Sequence, residues 1–225
     1  MTRSTRRSAR LPLTLYPTAL LILILGVAAC TGERPETPEI GGPQTDLPHG
    51  LESVLPEPVS TGTTIPMDDR TAAILSRLGM MVFEDRVESE NFTLPLLGGG
   101  DASLEDYRGS VVFLNFWATW CPPCREEMPS MQLLYDELHD EGLEILAINV
   151  LENPQTVQAF IDAEGFTYPV TLDRDGGVMM RYGVRAYPTT YLIDRQGYVI
   201  GVRPGYHDWG TDAMIADMRM LLEMP

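Results

Sequence analysis

Two cysteines enclosing a Pro-Pro pair, Cys121-Pro122-Pro123-Cys124, follow a run of strand-forming residues and precede a helical pattern. Such a pair admits three chemistries: metal ligation, a structural staple, or passage of electrons. A zinc site generally needs four ligands, one C-x-x-C supplies two, and His139 and His207 stand apart from it. A staple across two residues closes too short a loop to stabilise a fold much. Redox exchange needs only the pair itself. A sulfur just before a helix faces unpaired backbone N–H groups and the positive helix end, and both favour thiolate over thiol. Pro122 and Pro123 suit a first helical turn, whose N–H groups lack intrahelical partners anyway. Cys124 then lies about a turn inside, near enough to close a disulfide and more shielded. Cys121 is therefore read as the attacking thiol and Cys124 as the resolving one.

The elements that must position this pair follow from periodicity. Residues 111–117 form a continuous apolar strand, as expected when both sheet faces are covered. A helix is expected from 122 to about 141, with Met128, Met131, Leu134, Tyr135 and Leu138 on one face. A buried strand over 143–150 and a helix over 154–164, stopped by Gly165, come next. Short strands are expected near 170–172, 189–194 and 198–203, and a closing helix over about 209–222. Upstream, residues 92–94 and 102–104 flank Gly98-Gly99-Gly100 as a small hairpin. Residues 67–87 read as a short helical extension, with Ile74, Leu75, Leu78, Met81 and Val82 as its stripe. Alternating strands and helices followed by a hairpin indicate an α/β fold with a parallel core and an antiparallel edge.

The string Trp117-Ala118-Thr119-Trp120-Cys121-Pro122-Pro123-Cys124 resembles the active site of thioredoxin-fold proteins. With Asn115-Phe116 before it and Arg125-Glu126-Glu127-Met128-Pro129 after it, it is similar to the TlpA/ResA-like branch, membrane-tethered extracytoplasmic thiol–disulfide oxidoreductases. The likeness recurs at Arg181–Val184 and at Tyr187-Pro188-Thr189-Thr190-Tyr191-Leu192-Ile193-Asp194, and covers roughly residues 88–223. It implies a thioredoxin-like fold, a central mixed sheet flanked by helices, with an N-terminal β-hairpin extension and a domain over 88–225. It also implies a cis peptide before Pro188, exposing the Tyr187 backbone to substrate beside Cys121, with Trp120 and Pro122 as further substrate contacts. Thioredoxins proper carry a buried Asp six residues before the first cysteine; here Asn115 stands there and cannot titrate. The resemblance places the proton carrier instead at Glu127, three residues after Cys124 and so on the same side of the helix. Partial burial would raise its pKa into a useful range, whereas Glu126 is read as solvated.

The N-terminus is read as an address. Residues 1–10 hold four Arg and no acid, and an apolar run follows to Ala29. Val27-Ala28-Ala29-Cys30 resembles a bacterial lipoprotein box, which makes 1–29 a signal peptide and Cys30 the lipidated first residue of the mature chain. Losing four Arg and no acid takes the formal charge from −16 to −20. That excludes the basic surface a nucleic-acid partner requires. Residues 30–66, rich in Pro and Gly, read as a linker.

The sequence thus reads as a membrane-anchored, periplasmic-side reductase of envelope-protein disulfides, cytochrome c maturation among its settings, re-reduced by a membrane thiol donor. It calls for no cofactor and no metal. Two rival readings remain at this point. A copper-delivering relative of the fold would use C-x-x-x-C and a distant His, so the spacing departs. A thiol peroxidase would need P-x-x-x-T-x-x-C, which is absent.

Overall fold

The computed structural model describes residues 63–224. The signal-like segment 1–29, Cys30 and nearly all of the 30–66 linker lie outside the described residues. Strand β1 (Thr64–Pro66) leads to helix α1 (Asp69–Arg77), capped by Asp68, whose carboxylate accepts from the Thr71 N–H at 2.9 Å. Strand β2 (Met81–Glu88) follows. This corrects the helical extension expected over 67–87. Met81 and Val82 continue the helical stripe in sequence, but Gly79, at φ +70°, ends the helix in a left-handed turn. Met81 then pairs with Val202 in an antiparallel ladder.

Strands β3 (Thr93–Pro95) and β4 (Asp101–Ser103) form the expected hairpin. Then come β5 (Val111–Trp117), α2 (Pro122–Leu138), β6 (Leu143–Val150) and α3 (Pro154–Glu164). Strand β7 (Val170–Asp173) and helix α4 (Gly177–Arg181) precede β8 (Thr189–Ile193), β9 (Tyr198–Pro204) and α5 (Asp212–Leu222). Helix α4 is a single short turn with too little periodicity to read. It is held by Asp173, which accepts from the N–H groups of Val178 and Met179. Helix α5 starts at Asp212 rather than near Trp209, because the Thr211 hydroxyl caps it by accepting from Met214 N–H.

Seven strands form one sheet in the order β1-β2-β9-β8-β5-β6-β7. At its centre β5 runs parallel to β6 and antiparallel to β8, and all seven of its residues are buried. Phe113 and Trp117 face the layer formed by α1, α2, α3 and α5; Val112, Leu114 and Phe116 face the hairpin and α4. Met128, Met131, Leu134 and Leu138 fix α2 onto the sheet, and all four are essentially inaccessible. Truncating one such side chain to Ala typically costs about 2–5 kcal/mol. The result is a thioredoxin-like α/β fold that holds the start of α2 rigidly over the end of β5.

Candidate active site

Strand β5 runs through Ala118-Thr119-Trp120 into Cys121, the residue that caps α2. Its backbone is extended (φ −87°, ψ 106°) and its sulfur accepts from the Cys124 N–H at 3.3 Å. The two prolines fill the first turn, as their missing donors allow. Cys121 and Cys124 are joined in a disulfide. They are 3% and 1% exposed, so Cys124 is the more shielded by only a small margin in this disulfide form. Trp120 is the outlier beside them, 66% exposed. Pro122 is exposed as well.

The second segment arrives from β8. The Tyr187–Pro188 peptide is cis, as the resemblance implied. Thr189 pairs with Phe116, which brings Pro188 to the same end of the sheet as the cysteines. The rings of Trp120 and Tyr187 meet edge to face at 6.0 Å. The Tyr187 hydroxyl donates to Met179 Sδ at 2.8 Å.

Behind the disulfide, Glu127 is almost fully buried on the face of α2 that also carries Cys124. Trp209 Nε1–H donates to Glu127 Oε1 at 2.6 Å, and Asn115 Nδ2–H donates to Oε2 at 3.3 Å. Burial pushes this carboxyl up to about 7. The Trp209 and Asn115 hydrogen bonds, a backbone contact from His207 and the charge of Arg203 offset burial only in part. Tyr168 is raised well above the ordinary phenol range, by burial first and the Glu127 charge second. Glu126, one residue earlier, is exposed.

Two residues here escaped sequence reasoning. Trp209 sits in the loop before α5, fully buried, edge-on to Phe113 at 4.9 Å. Its one signal was a large aromatic inside a loop-like stretch, Gly205–Gly210, bounded by two glycines. Glu152 follows β6 and accepts from the Thr119 N–H at 2.7 Å, the Thr119 hydroxyl at 2.5 Å and the Asn149 amide at 2.7 Å. It thereby fixes the loop that delivers Cys121. Nothing local marks it. Of the histidines, His207 has Nε2 3.3 Å from Met214 Sδ, with burial pulling its pKa down. Among the described residues no three of His, Cys, Asp and Glu converge as a ligand set.

The model of the AhpC/TSA family matches residues 87–202. The thiol-disulfide oxidoreductase ResA of Halalkalibacterium halodurans is 43% identical over 136 residues, covering 60% of this chain and 76% of that relative. The chain belongs to the ResA-like thiol-disulfide oxidoreductases. Among solved structures, StoA from Bacillus subtilis is 28% identical with a TM-score of 0.50, over 58% of this chain and 96% of that one. A secreted thiol-disulfide isomerase from Corynebacterium glutamicum is 25% identical with a TM-score of 0.59, over 72% and 99%. As a ResA-like oxidoreductase, the chain holds its Cys121–Cys124 disulfide, at C-x-x-C spacing, at the end of the sheet where Trp120, Tyr187 and Pro188 also gather.

Proposed function

We propose that this chain is a lipid-anchored, extracytoplasmic reductase in which Cys121 attacks, Cys124 resolves and Glu127 accepts the proton that Cys124 gives up. The Cys121 thiolate attacks one sulfur of a substrate disulfide; that bond breaks, a mixed disulfide forms and the substrate's other sulfur leaves as thiolate. Cys124 gives its proton to the Glu127 carboxylate and attacks Cys121 Sγ. The intramolecular disulfide closes and the second substrate thiolate departs. Two electrons pass from the protein dithiol to the substrate, and the dithiol's protons end on the substrate thiols. A membrane thiol donor then restores the dithiol by the same exchange in reverse.

The observation that carries this reading is the buried Glu127 carboxyl, held near 7 on the same helix face as Cys124. A group poised there takes a thiol proton and returns it without a large barrier. Trp120, Pro122, the Tyr187 backbone and Pro188 form the substrate-facing rim, where an extended chain pairs in the manner of an added strand. The anchor rests on the sequence Val27-Ala28-Ala29-Cys30 and its linker over 30–66. The secreted Corynebacterium relative agrees with an extracytoplasmic setting. Substrates are envelope-protein disulfides, including apocytochrome c before haem attachment.

The reduction potential of the Cys121–Cys124 pair, read by equilibration in graded thiol buffers, tests the direction of flow. A value near about −270 mV fits a reductase, whereas one near about −120 mV makes the protein a disulfide donor and overturns this reading.

A further inference from the structure

Leu151 combines two features that folding alone does not explain. It is the one non-glycine among the described residues with a left-handed backbone, φ 60°, and its side chain is 60% exposed. A branched side chain in this region clashes with its own backbone, so Gly or Asn is the ordinary occupant. The conformation itself is imposed from both sides. The Leu151 N–H donates to the Asp173 carbonyl at 3.0 Å, and the next residue, Glu152, must reach Thr119 at 2.7 Å. The turn therefore requires a positive φ, and the chain fills it with an apolar side chain pointing largely into water. Strain of this kind concentrates at functional sites.

The surroundings give that side chain a use. Through Glu152 and Thr119, Leu151 is tied to the loop that ends at Trp120 and Cys121. A Cβ built at Gly176 would lie 3.2 Å from Leu151 Cδ2 and 3.6 Å from the Met179 methyl, so both side chains border the same small space. Met179 in turn accepts from the Tyr187 hydroxyl, and Tyr187 meets Trp120. Leu151 and Met179 thus flank Gly176, Met179 meets the Tyr187 hydroxyl and Tyr187 meets Trp120, so the four side chains succeed one another away from the redox site, with Leu151 at the far end on the β6 side of the active-site loop.

We propose that Leu151 is a specificity-determining contact, which receives an apolar side chain flanking the cysteine of a disulfide-bearing polypeptide. This rests on the reading of Cys121–Cys124 as a reductase of protein disulfides and adds to it a preference for apolar flanking sequence. Continuity with the redox site identifies the occupant: a chain whose disulfide reaches Cys121 must lay its neighbouring residues along this succession of side chains.

The test uses the full chain and two variants, Leu151→Asn and Leu151→Gly, both compatible with positive φ. Two synthetic peptides with an internal disulfide, differing only in Leu or Ser beside one cysteine, are the probes, together with bis(2-hydroxyethyl) disulfide, which is too small to reach residue 151. The parent is expected to prefer the Leu peptide by about fivefold in kcat/KM, the scale of one partly buried leucine. Both variants are expected to lose that preference through KM, keep the parent's rate with the small disulfide, and melt within a few degrees of it. A preference retained in the variants overturns the proposal. So does an equal loss with the small disulfide, or a large drop in melting temperature, which would make Leu151 a packing residue. A parent that reduces no disulfide would instead overturn the reductase reading beneath it.

Discussion

On its inner side the first half of α2 carries Cys124 and Glu127, pressed against Asn115 and Trp209. On its outer side the same two turns carry Arg125 and Glu126, both in water. Glu126 and Glu127 are chemically identical neighbours. Glu127 rotates inward, loses its hydration and is pushed up to about 7. A residue's chemistry here is decided by what other elements lay over it, and one helical position separates a buried carboxyl from a solvated one. The contrast also orders the outer rim, where Trp120 and Leu151 remain exposed although both are apolar. The dry side suits proton transfer, and the exposed side suits a partner.

The contrast breaks most completely at the sulfurs. Cys121→Ser is expected to abolish disulfide reduction, a loss of at least about a thousandfold, while Cys124→Ser accumulates the mixed disulfide. Non-reducing electrophoresis against a peptide disulfide distinguishes them, and a trapped adduct on Cys124 would reverse the assignment. Next in size is the energetic cost of the dry side. Glu127 titrates at 4.5 in its ordinary setting and about 7 in the folded disulfide form, so the folded state holds its proton more tightly. Stability from this group is fully present below 4.5 and is lost as pH rises through 7. The loss is about 3 kcal/mol, and Glu127→Gln should not show it. Urea titrations from pH 4 to 8 are expected to converge for parent and variant at low pH and to favour the variant above neutrality.

A smaller effect sharpens the contrast. Trp209→Phe keeps a ring against Phe113 but deletes the donor 2.6 Å from Glu127 Oε1. Losing a hydrogen bond to the ionised form should raise the Glu127 midpoint by about one pH unit. The shift would be read from the protonated-carboxyl infrared band, and an unmoved midpoint would show that Trp209 merely packs. The smallest expected effect is none: Glu126→Gln should leave activity and its pH profile unchanged.

Much of the site was legible because local rules govern it. A C-x-x-C with prolines in its first turn marks a helix N-terminus, and the apolar run over β5 marks a central strand. The inward face of Glu127 follows from its spacing to Cys124. Other parts depend on distant chain. Trp209 reaches Glu127 across 82 residues, and Glu152 reaches Thr119 across 33, so neither carries a local signature. Strand β2 was hidden because Met81 and Val82 fit a helical stripe as well as a strand, and only pairing with β9 chooses between them. Leu151 was hidden for a different reason: nothing in its type announces a left-handed backbone.

The most direct measurement is the rate at which Cys124 resolves the mixed disulfide on Cys121, followed against pH in the parent and in Glu127→Gln. With Glu127 as proton acceptor, the parent rate should rise through a midpoint near 7. The variant should be slower by about a hundredfold at neutral pH and climb only toward the ordinary thiol range, about 8.5. Superimposable profiles would remove Glu127 from the chemistry and leave its burial unexplained.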